Sequence, residues 1–415
     1  MERKMKDSGI PWIGEIPSDW SSDMIGNLYT LRNEKVSDKD YPPLSVGKMG
    51  VVPQLETAAK TDDGDNRKLV RVGDFAINSR SDRRGSCGIS NYDGSVSLIN
   101  TILTPRGEMN PQYFNWFFHT EQFADEFYKW GHGIVDDLWT TRWQEMKRIT
   151  ISVPPLPTQQ RIADFLDRKC AEIDELAALQ ETMIAELKRY KQSVITEAVT
   201  KGLDPDVPMK DSGVEWIGEI PSHWNLIRIK YLLDERKQRS ETGTEEPLSM
   251  SQKYGLIPTK DMDSIPNMAS SFVGAKVVYE DDLVFNKLKA HLGVFSVSKY
   301  FGLVSPDYAV YFSKGNSNAK YLEFLFKTPQ YINEFKKLST GVGAGLTRLY
   351  TSDLFCINAI QPPTQEQNEI MNYITHKCAE IDELIAIKQQ KIEALKEYKK
   401  SVIFEYVTGK KEVEE

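Results

Sequence analysis

The sequence predicts an α/β fold of the α+β kind: two duplicated domains separated by two long helices, which pack as an antiparallel coiled coil with pseudo-two-fold symmetry. Two repeats in the sequence predict this architecture. Residues 5–20 read MKDSGIPWIGEIPSDW and residues 209–224 read MKDSGVEWIGEIPSHW, so this motif recurs after 204 positions. The segment KCAEIDEL at 169–176 recurs unchanged at 377–384, after 208 positions. One repeat over half the chain indicates a duplicated unit, which implies a pseudo-dyad.

Length and composition place the chain among globular proteins. Its 415 residues are too many for a single core, and 40% hydrophobic with 27% charged residues is ordinary for a soluble chain. No apolar run approaches the roughly 18 residues of a membrane span, and the N-terminus does not read as a signal peptide. Four cysteines without a CxxC pair argue against a zinc site or a disulfide framework. We therefore expect a cytoplasmic protein.

The charge balance restricts how the chain could bind nucleic acid. Its formal net charge is −8 at pH 7, whereas phosphate contacts require lysine and arginine. A DNA-binding function would therefore need basic residues concentrated in loops, or partners that supply part of the positive surface.

The repeat divides the chain into four predicted segments. These are a first recognition domain at 1–155, a central helix at 156–203, a second recognition domain at 204–362 and a distal helix at 363–410. Within the domains, residues 72–78 and 279–286 each predict a turn that leads into a short strand. Residues 113–120 and 321–328 each predict a compact helix.

Both long helices follow proline-rich breaks and carry an apolar seam with four-three spacing, which is typical of a coiled coil. The seam residues are Ile173, Ala177, Ile184, Leu187 and Val194 in the first helix and Ile381, Ile385, Ile392, Leu395 and Val402 in the second. Thr364 with Gln367 fits a capping box, and Thr158 is the equivalent candidate cap. Gly202 and Gly409 stand where helix C-caps are expected.

Three motifs together resemble the specificity (S) subunit of type I restriction–modification systems. They are MKDSGxxWIGEIPxxW, the Pro-Pro-(Leu-Pro)-Thr-Gln opening of a helix, and the ending Tyr-Lys-x-Ser-Val-Ile-x-Glu at 190–197 and 398–405. The resemblance covers nearly the whole chain, in the family's order and twice over. It implies two target recognition domains, each of which reads one half of a split, asymmetric sequence in double-stranded DNA.

The same resemblance implies partners. The long helices of the family act as a ruler between the half-sites and as a docking platform for two methyltransferase subunits. Those subunits bind S-adenosylmethionine and methylate adenine, and restriction subunits join them to cleave and translocate DNA. No cofactor is expected in this chain, and no membrane partner.

Catalytic motifs are missing from the sequence. It contains no GxxxxGK[ST] loop, no Gly-rich turn of the FxGxG kind for S-adenosylmethionine, and no HExxH or His/Cys cluster. Asn110-Pro-Gln-Tyr113 resembles the NPPY motif of amino-methyltransferases but lacks its second proline, so we interpret Asn110 as a helix cap. No catalytic residue and no metal ligand are predicted, and the chain is expected not to be an enzyme.

Polar and basic loop residues that differ between the copies are the candidate DNA-binding residues, because base discrimination needs donors and acceptors at the groove edge. In the first copy they are Arg80, Arg83, Arg84, Thr140 and Arg142; in the second they are Lys287, Lys289, His291, Arg348 and Tyr350. Small residues at 341–345 would let the backbone approach phosphates. Asp136 and Asp137 weaken the interpretation for the first copy.

Each candidate also has a structural interpretation. A basic loop can be a solvated turn, and the motif tryptophans Trp12, Trp20, Trp216 and Trp224 are interpreted as core packing because both copies share them. Two other functions remain as alternatives: a fused DNA methyltransferase or nuclease, against which the missing motifs argue, and a coiled-coil scaffold without a DNA role.

Overall fold

The computed structural model describes residues 3–54, 64–133, 139–251, 254–262, 271–341 and 347–413. The chain forms two compact units. Unit one combines Met1–Glu181 with Gln389–Glu415, and unit two is Thr182–Lys388. The boundaries between the units fall inside both long helices, whereas the four predicted segments end at the helix ends.

Nine α-helices lie within the described ranges. They are α1 (Ile25–Leu28), α2 (Pro111–Phe118), α3 (Glu121–Lys129), α4 (Trp143–Met146), α5 (Leu156–Lys201), α6 (Ala319–Phe326), α7 (Pro329–Leu338), α8 (Thr351–Cys356) and α9 (Thr364–Val407). Single 3-10 turns occur at Ser81–Arg83, Ile229–Tyr231, Thr259–Asp261 and Ala290–Leu292. None of the helices in the described part of the chain combines the length and the hydropathy that crossing a bilayer requires.

The described strands of unit one are β1 (Met5–Asp7), β2 (Glu15–Pro17), β3 (Ser21–Met24), β4 (Tyr29–Arg32), β5 (Lys35–Val36), β6 (Leu44–Gly47), β7 (Gly50–Pro53), β8 (Arg67–Val70), β9 (Phe75–Asn78), β10 (Cys87–Ile89), β11 (Gly94–Val96), β12 (Asn100–Pro105) and β13 (Thr150–Val153). The main sheet has the antiparallel order β10-β9-β12-β4. A second sheet has the order β11-β8-β5, and the pairs β6-β7, β13-β3 and β1-β2 accompany them.

Unit two repeats this plan. Its described strands are β14 (Met209–Asp211), β15 (Glu219–Pro221), β16 (Asn225–Arg228), β17 (Leu233–Glu235), β18 (Leu248–Ser251), β19 (Gly255–Pro258), β20 (Lys276–Val278), β21 (Leu283–Asn286), β22 (Phe295–Val297), β23 (Gly302–Val304), β24 (Tyr308–Ser313), β25 (Thr340–Gly341), β26 (Thr347–Arg348) and β27 (Asn358–Gln361). The main sheet has the order β17-β24-β21-β22, and the hairpin β18-β19 matches β6-β7. The strands and compact helices predicted from the repeat are therefore confirmed.

Aromatic side chains fill the core of each unit. In unit one the ring of Phe118 lies 4.2 Å from that of Phe75 and 4.8 Å from that of Phe123, measured between centroids. In unit two Phe285 and Phe295 stack at 4.3 Å. Burying each such side chain contributes about 1.5–3 kcal/mol, so these clusters provide much of the stability of each globule.

The motif tryptophans belong to these cores, as predicted. Trp20 and Trp224 are 1% and 0% exposed. Trp12 lies edge-on to Phe117 with 5.9 Å between ring centroids, and Trp216 approaches Tyr331 at 4.9 Å. The motif therefore recurs because both globules need the same packing.

The two long helices run antiparallel within each unit. In unit one, Lys399 of α9 contacts both carboxylate oxygens of Asp174 in α5 at 2.7 Å, and Tyr406 stacks on Phe165 at 4.3 Å. In unit two, Lys191 makes the same 2.7 Å contacts with Asp382. The predicted seam residues are buried or half-buried. The two lysines, which interrupt the seam in the sequence, form ion pairs between the helices.

Each unit also holds the C-terminal end of one long helix. In unit one the hydroxyl of Tyr113 donates to the carbonyl of Val407, at the end of α9, with 2.7 Å between the oxygens. Lys410 then donates to the carbonyls of Ile13 and Glu15 at 2.7 and 3.0 Å. The C-terminal segment is thereby joined to the N-terminal motif of the same unit.

Unit two makes the equivalent contact with α5. The hydroxyl of Tyr321 donates to the carbonyl of Val199 with 2.9 Å between the oxygens. Both helices end at the predicted glycines, since Gly202 and Gly409 have φ angles of +83° and +72°. A side chain at Gly409 would collide with Pro17 and Trp20, so this position requires glycine for space as well as for conformation.

The predicted N-terminal caps of the long helices are wrong. Thr364 is the first residue of α9, and Thr158 lies inside α5. Gln367 does not complete a capping box: its amide nitrogen donates to the carbonyl of Pro362 at 2.8 Å, and its oxygen accepts from the backbone of Asn318 at 3.0 Å. Gln159 makes the same two bonds in unit one. Each glutamine instead links the start of its long helix to the cap residue of a short helix. Such a contact between distant residues cannot be read from local spacing.

Asn110 caps α2, as predicted. Its side-chain oxygen accepts the backbone N–H of Tyr113 at 2.8 Å, and Pro111 occupies the first helical position, where no N–H is needed. Asn318 caps α6 in the same way, through the N–H of Tyr321 at 3.2 Å. The resemblance of this segment to a methyltransferase motif therefore has a structural explanation.

A buried ion pair joins strands in the main sheet of each unit. In unit one the guanidinium of Arg32 contacts both oxygens of Asp74 at 2.7 and 3.1 Å, and Asp74 also accepts from the hydroxyl of Thr104 at 2.9 Å. This hydrogen bond raises the pKa of Arg32. In unit two Arg236 and Asp282 form the same pair at 2.7 and 2.8 Å.

Replacing Arg32 by methionine, which keeps the apolar stem, should lower the free energy of unfolding of unit one by about 3 kcal/mol, because it leaves the buried Asp74 carboxylate without its cation. Thermal unfolding followed by circular dichroism measures the change. Arg106→Met is the control, since Arg106 makes an exposed bond to Thr30. Equal melting temperatures for the two variants would contradict the prediction.

Candidate nucleic-acid interface

In unit one, the two predicted loops meet. Arg80 and Thr140 form an antiparallel bridge, and the N–H of Thr141 donates to the carbonyl of Ser79 at 3.0 Å. Thr140 also exchanges two backbone hydrogen bonds with His132, at 3.0 and 3.1 Å. The two loops therefore lie side by side, although residues 79 and 141 are 62 positions apart in the sequence.

The arginines of this surface have different surroundings. Arg80, Arg83 and Arg84 are all exposed. Arg84 forms an ion pair with Asp125 of α3, and Arg83 lies 3.5 Å from the carboxylate of its neighbour Asp82. The predicted cluster therefore exists, but a carboxylate already partners two of its three cations.

Arg142 completes the set of predicted residues in unit one. It is exposed and precedes α4, where its backbone N–H donates to the side chain of Glu145 at 3.2 Å. Nearby, the indole nitrogen of Trp139 donates to the carbonyl of Tyr128 at 2.8 Å, and the hydroxyl of Thr141 to that of Phe127 at 2.8 Å. These bonds anchor the loop to α3 and leave the Arg142 side chain exposed.

Unit two has the same scaffold with other side chains. The N–H of Leu349 donates to the carbonyl of Lys287 at 3.0 Å, which is the equivalent of the bond from Thr141 to Ser79. The hydroxyl of Thr347 lies 3.4 Å from the Nδ1 of His291, and Arg348 contacts Asp307 at 3.0 Å. The structure thus brings the predicted residues Lys287, His291 and Arg348 into one region.

Lys287 is the candidate with the most unusual electrostatics. Burial lowers its pKa, and the positive charges of Lys276 and Arg348 lower it further. Lys289 and Tyr350, by contrast, are exposed. Lys276 and Arg348 each have a carboxylate partner, Glu235 at 3.1 Å and Asp307 at 3.0 Å, and these carboxylates oppose the lowering of the Lys287 pKa.

Some predicted features lie outside the described residues. These are Asp136 and Asp137 in the first copy and the small residues at 342–345 in the second. In the parts of the chain that the structure does describe, no group of three or more His, Cys, Asp or Glu side chains is placed to hold a metal ion.

The tips of two hairpins are exposed and were not among the residues predicted from the sequence. Lys48 and Met49 form the turn between β6 and β7, and Met49 is 89% exposed. In unit two the exposed Tyr254 stands at the equivalent position before Gly255. In the sequence, residues 48–50 (KMG) and 253–255 (KYG) share the order lysine, large side chain, glycine, and this repeat was the signal that could have found these hairpins.

Comparison with known sequences connects this architecture to one family. Residues 17–189 match the family model described as "Type I restriction modification DNA specificity domain". A putative type I restriction enzyme MjaX specificity subunit from Methanocaldococcus jannaschii is 24% identical, covering 96% of this chain and 95% of the relative. The type I restriction enzyme EcoDI specificity subunit from Escherichia coli is 21% identical, covering 89% of this chain and 83% of the relative.

Solved structures share the fold. A chain from a study titled "Structural basis underlying complex assembly and conformational transition of the type I R-M system" aligns with a TM-score of 0.69 at 13% identity, covering 95% of this chain and 99% of that one. The HsdS subunit from Thermoanaerobacter tengcongensis aligns with a TM-score of 0.54 at 15% identity, covering 95% and 98%. The predicted fold class is confirmed.

The relatives are named as specificity subunits. The prediction of a specificity subunit rather than an enzyme is therefore confirmed. Residues 17–189 match the type I restriction–modification DNA specificity domain, and relatives named as type I restriction enzyme specificity subunits align along most of the chain.

Proposed function

We propose that this chain gives a type I restriction–modification complex its DNA sequence specificity, with each unit reading one half of a split, asymmetric site in double-stranded DNA. Similarity to specificity subunits supports DNA and the other subunits of such a complex as its partners. The finer assignment is two methyltransferase subunits, which restriction subunits join. Because the ligand is cellular DNA, the proposed location is the cytoplasm.

One observation carries the proposal: the two units hold different side chains on the same backbone frame. The bonds from Thr141 to Ser79 and from Leu349 to Lys287 are equivalent, and each joins a loop before a short helix to the end of a central strand. Conserved frame bonds would place the loops alike on DNA, while side chains that differ would select different bases. Two units would then read an asymmetric site.

Exposed apolar residues on the long helices support docking of partner subunits. In unit one Leu176 and Leu179 are each 47% exposed, and in unit two their equivalents Leu384 and Ile387 are also exposed. Single exposed apolar residues are ordinary, but a pair three positions apart, repeated in both copies, indicates a covered surface. Two equivalent surfaces suit two copies of one partner, which we assign to the methyltransferase subunits.

S-adenosylmethionine is assigned to those partners. The purified chain should give no heat of binding with the cofactor in calorimetry, because its sequence provides no cofactor loop. Addition of the methyltransferase subunits should produce methylation at a split site, with one adenine on each strand. Stoichiometric cofactor binding or methylation by the chain alone would overturn this assignment.

Replacing Lys287 and Lys289 by alanine should weaken DNA binding by the assembled complex. Each lost phosphate contact should reduce the salt slope, the dependence of log K on log salt concentration, by about one. If either lysine reads a base instead, about 1–3 kcal/mol of discrimination should vanish at one position of one half-site. Titration over a range of salt concentrations separates the two results.

Lys299→Ala is the matched control, because it removes an exposed positive charge from the same unit outside the two loops. It should leave the salt slope and the base preference as they are. A double variant at Lys287 and Lys289 that behaves like this control would show that the loop faces solvent in the complex.

Replacing Leu384 and Ile387 by serine should remove one of the two bound methyltransferase subunits. Unit two alone then loses the apolar surface on which that subunit is proposed to dock. Leu176→Ser with Leu179→Ser should remove the other. Native mass spectrometry of the reconstituted complex gives the stoichiometry directly. The control is Glu383→Ser, at an exposed neighbouring position of α9. Two bound subunits in both double variants would refute this docking surface.

A further inference from the structure

Unit one contains a cleft of about 640 Å³, lined by both polar and apolar residues, beside the loop that carries Arg80, Arg83 and Arg84. The hairpin β6-β7 forms one wall, through Val46 and Lys48, and the ends of β9 and β12 form the other, through Asn78 and Asn100. Arg83 of the basic loop lines it as well. The cleft therefore opens at the surface that the proposed function assigns to DNA.

The side chain of Asn100 has an unusual hydrogen-bond state. It is only 4% exposed, and its amide nitrogen donates to the carbonyl of Ser97 at 3.0 Å. That carbonyl can only accept, which fixes the orientation of the amide. The Oδ1 atom of Asn100 is buried and finds no donor among the described residues. An unpaired buried acceptor costs about 1–3 kcal/mol, which a donor from a ligand would recover.

In unit two, a larger side chain occupies the position that is equivalent to Asn100. Asn78 pairs with Asn100 across β9 and β12, and the equivalent pair across β21 and β24 is Asn286 and Tyr308. Tyr308 packs against the apolar cluster that contains Leu248 and Leu256 of the hairpin β18-β19. The phenol thus spans from the central strand to the hairpin, whereas in unit one the shorter asparagine leaves that space as the cleft.

We infer that this cleft is the base-reading site of unit one, with Asn100 as a specificity-determining residue that accepts a hydrogen bond from the exocyclic amino group of an adenine or a cytosine. The inference rests on the proposed DNA-binding function and deepens it. The major groove admits a two-stranded β-ribbon, and in that groove amino groups are presented only by adenine N6 and cytosine N4. The hairpin β6-β7 is such a ribbon.

The tip of the hairpin fits this role. Lys48 is exposed and lines the cleft, so that it is placed for a phosphate at the groove edge. Met49, 89% exposed, follows it and offers an apolar contact such as a thymine methyl group requires. Arg83 and the buried Arg67 bring the cations among the described residues of the cleft lining to three, beside one carboxylate, that of Asp82.

The test uses the full chain assembled with its methyltransferase subunits and a pool of DNA duplexes with randomised positions. Sequencing the bound duplexes should give two conserved blocks for the natural chain. Asn100→Tyr, which places the residue of unit two in unit one, should erase the preference for adenine or cytosine at one position of one block. Affinity for the original site should fall about ten-fold, as for one lost base contact. The other block is the internal control and should not change.

Each possible result of this experiment supports or overturns the inference, the proposed function or both. Identical blocks and equal affinity for Asn100→Tyr overturn the inference while the proposed function stands. Absence of any enriched block with the natural chain overturns the proposed function, and the inference with it. If thermal unfolding shows that Asn100→Tyr does not fold, the double variant Lys48→Ala with Met49→Ala decides instead, because it changes exposed residues only. About ten-fold weaker binding than the control Lys35→Ala supports the cleft, and equal binding rejects it.

Discussion

The hydrogen bond from a buried tyrosine to the end of a long helix is the contact on which the architecture depends. The last carbonyls of a helix have no partner within it and must find one elsewhere. Tyr113 supplies a donor to Val407, and Tyr321 supplies one to Val199, so each globule fixes the end of a helix. In unit one that helix belongs to the other end of the sequence, and unit one is therefore assembled from both chain termini.

The same constraint explains the most repeated residues. The glycine that follows each helix packs against a motif tryptophan, Gly202 against Trp224 and Gly409 against Trp20. In unit two the Trp224 indole also donates to Glu366 at 2.9 Å, while in unit one the Trp20 nitrogen is buried and unpaired among the described residues. Packing is the role that the two tryptophans share, since the polar partner is present in one unit only.

The backbone bonds that join the two loops in each unit are separate from the exposed side chains that are proposed to read DNA. Ser79 and Lys287, which directly follow a central strand, accept backbone N–H groups of Thr141 and Leu349 in the second loop. Trp139 and Thr141 also anchor their loop through side-chain bonds, whereas exposed side chains such as Arg142 make no such bond to the described residues and can differ without loss of the fold. Under the proposed function, this separation of roles lets two units of one ancestry read two sequences.

The sequence by itself determined the duplication, the two long helices and the resemblance to specificity subunits, because each depends on local or repeated patterns. The apolar seam from Ile173 to Val194 follows from helical periodicity alone. Only the tertiary structure decided which basic residues stand beside carboxylates, as Arg84 does beside Asp125, and which polar residues line the cleft, as Asn100 does. Those relations join residues distant along the chain, and they are set by strand register and packing, which leave no periodic trace in a single sequence.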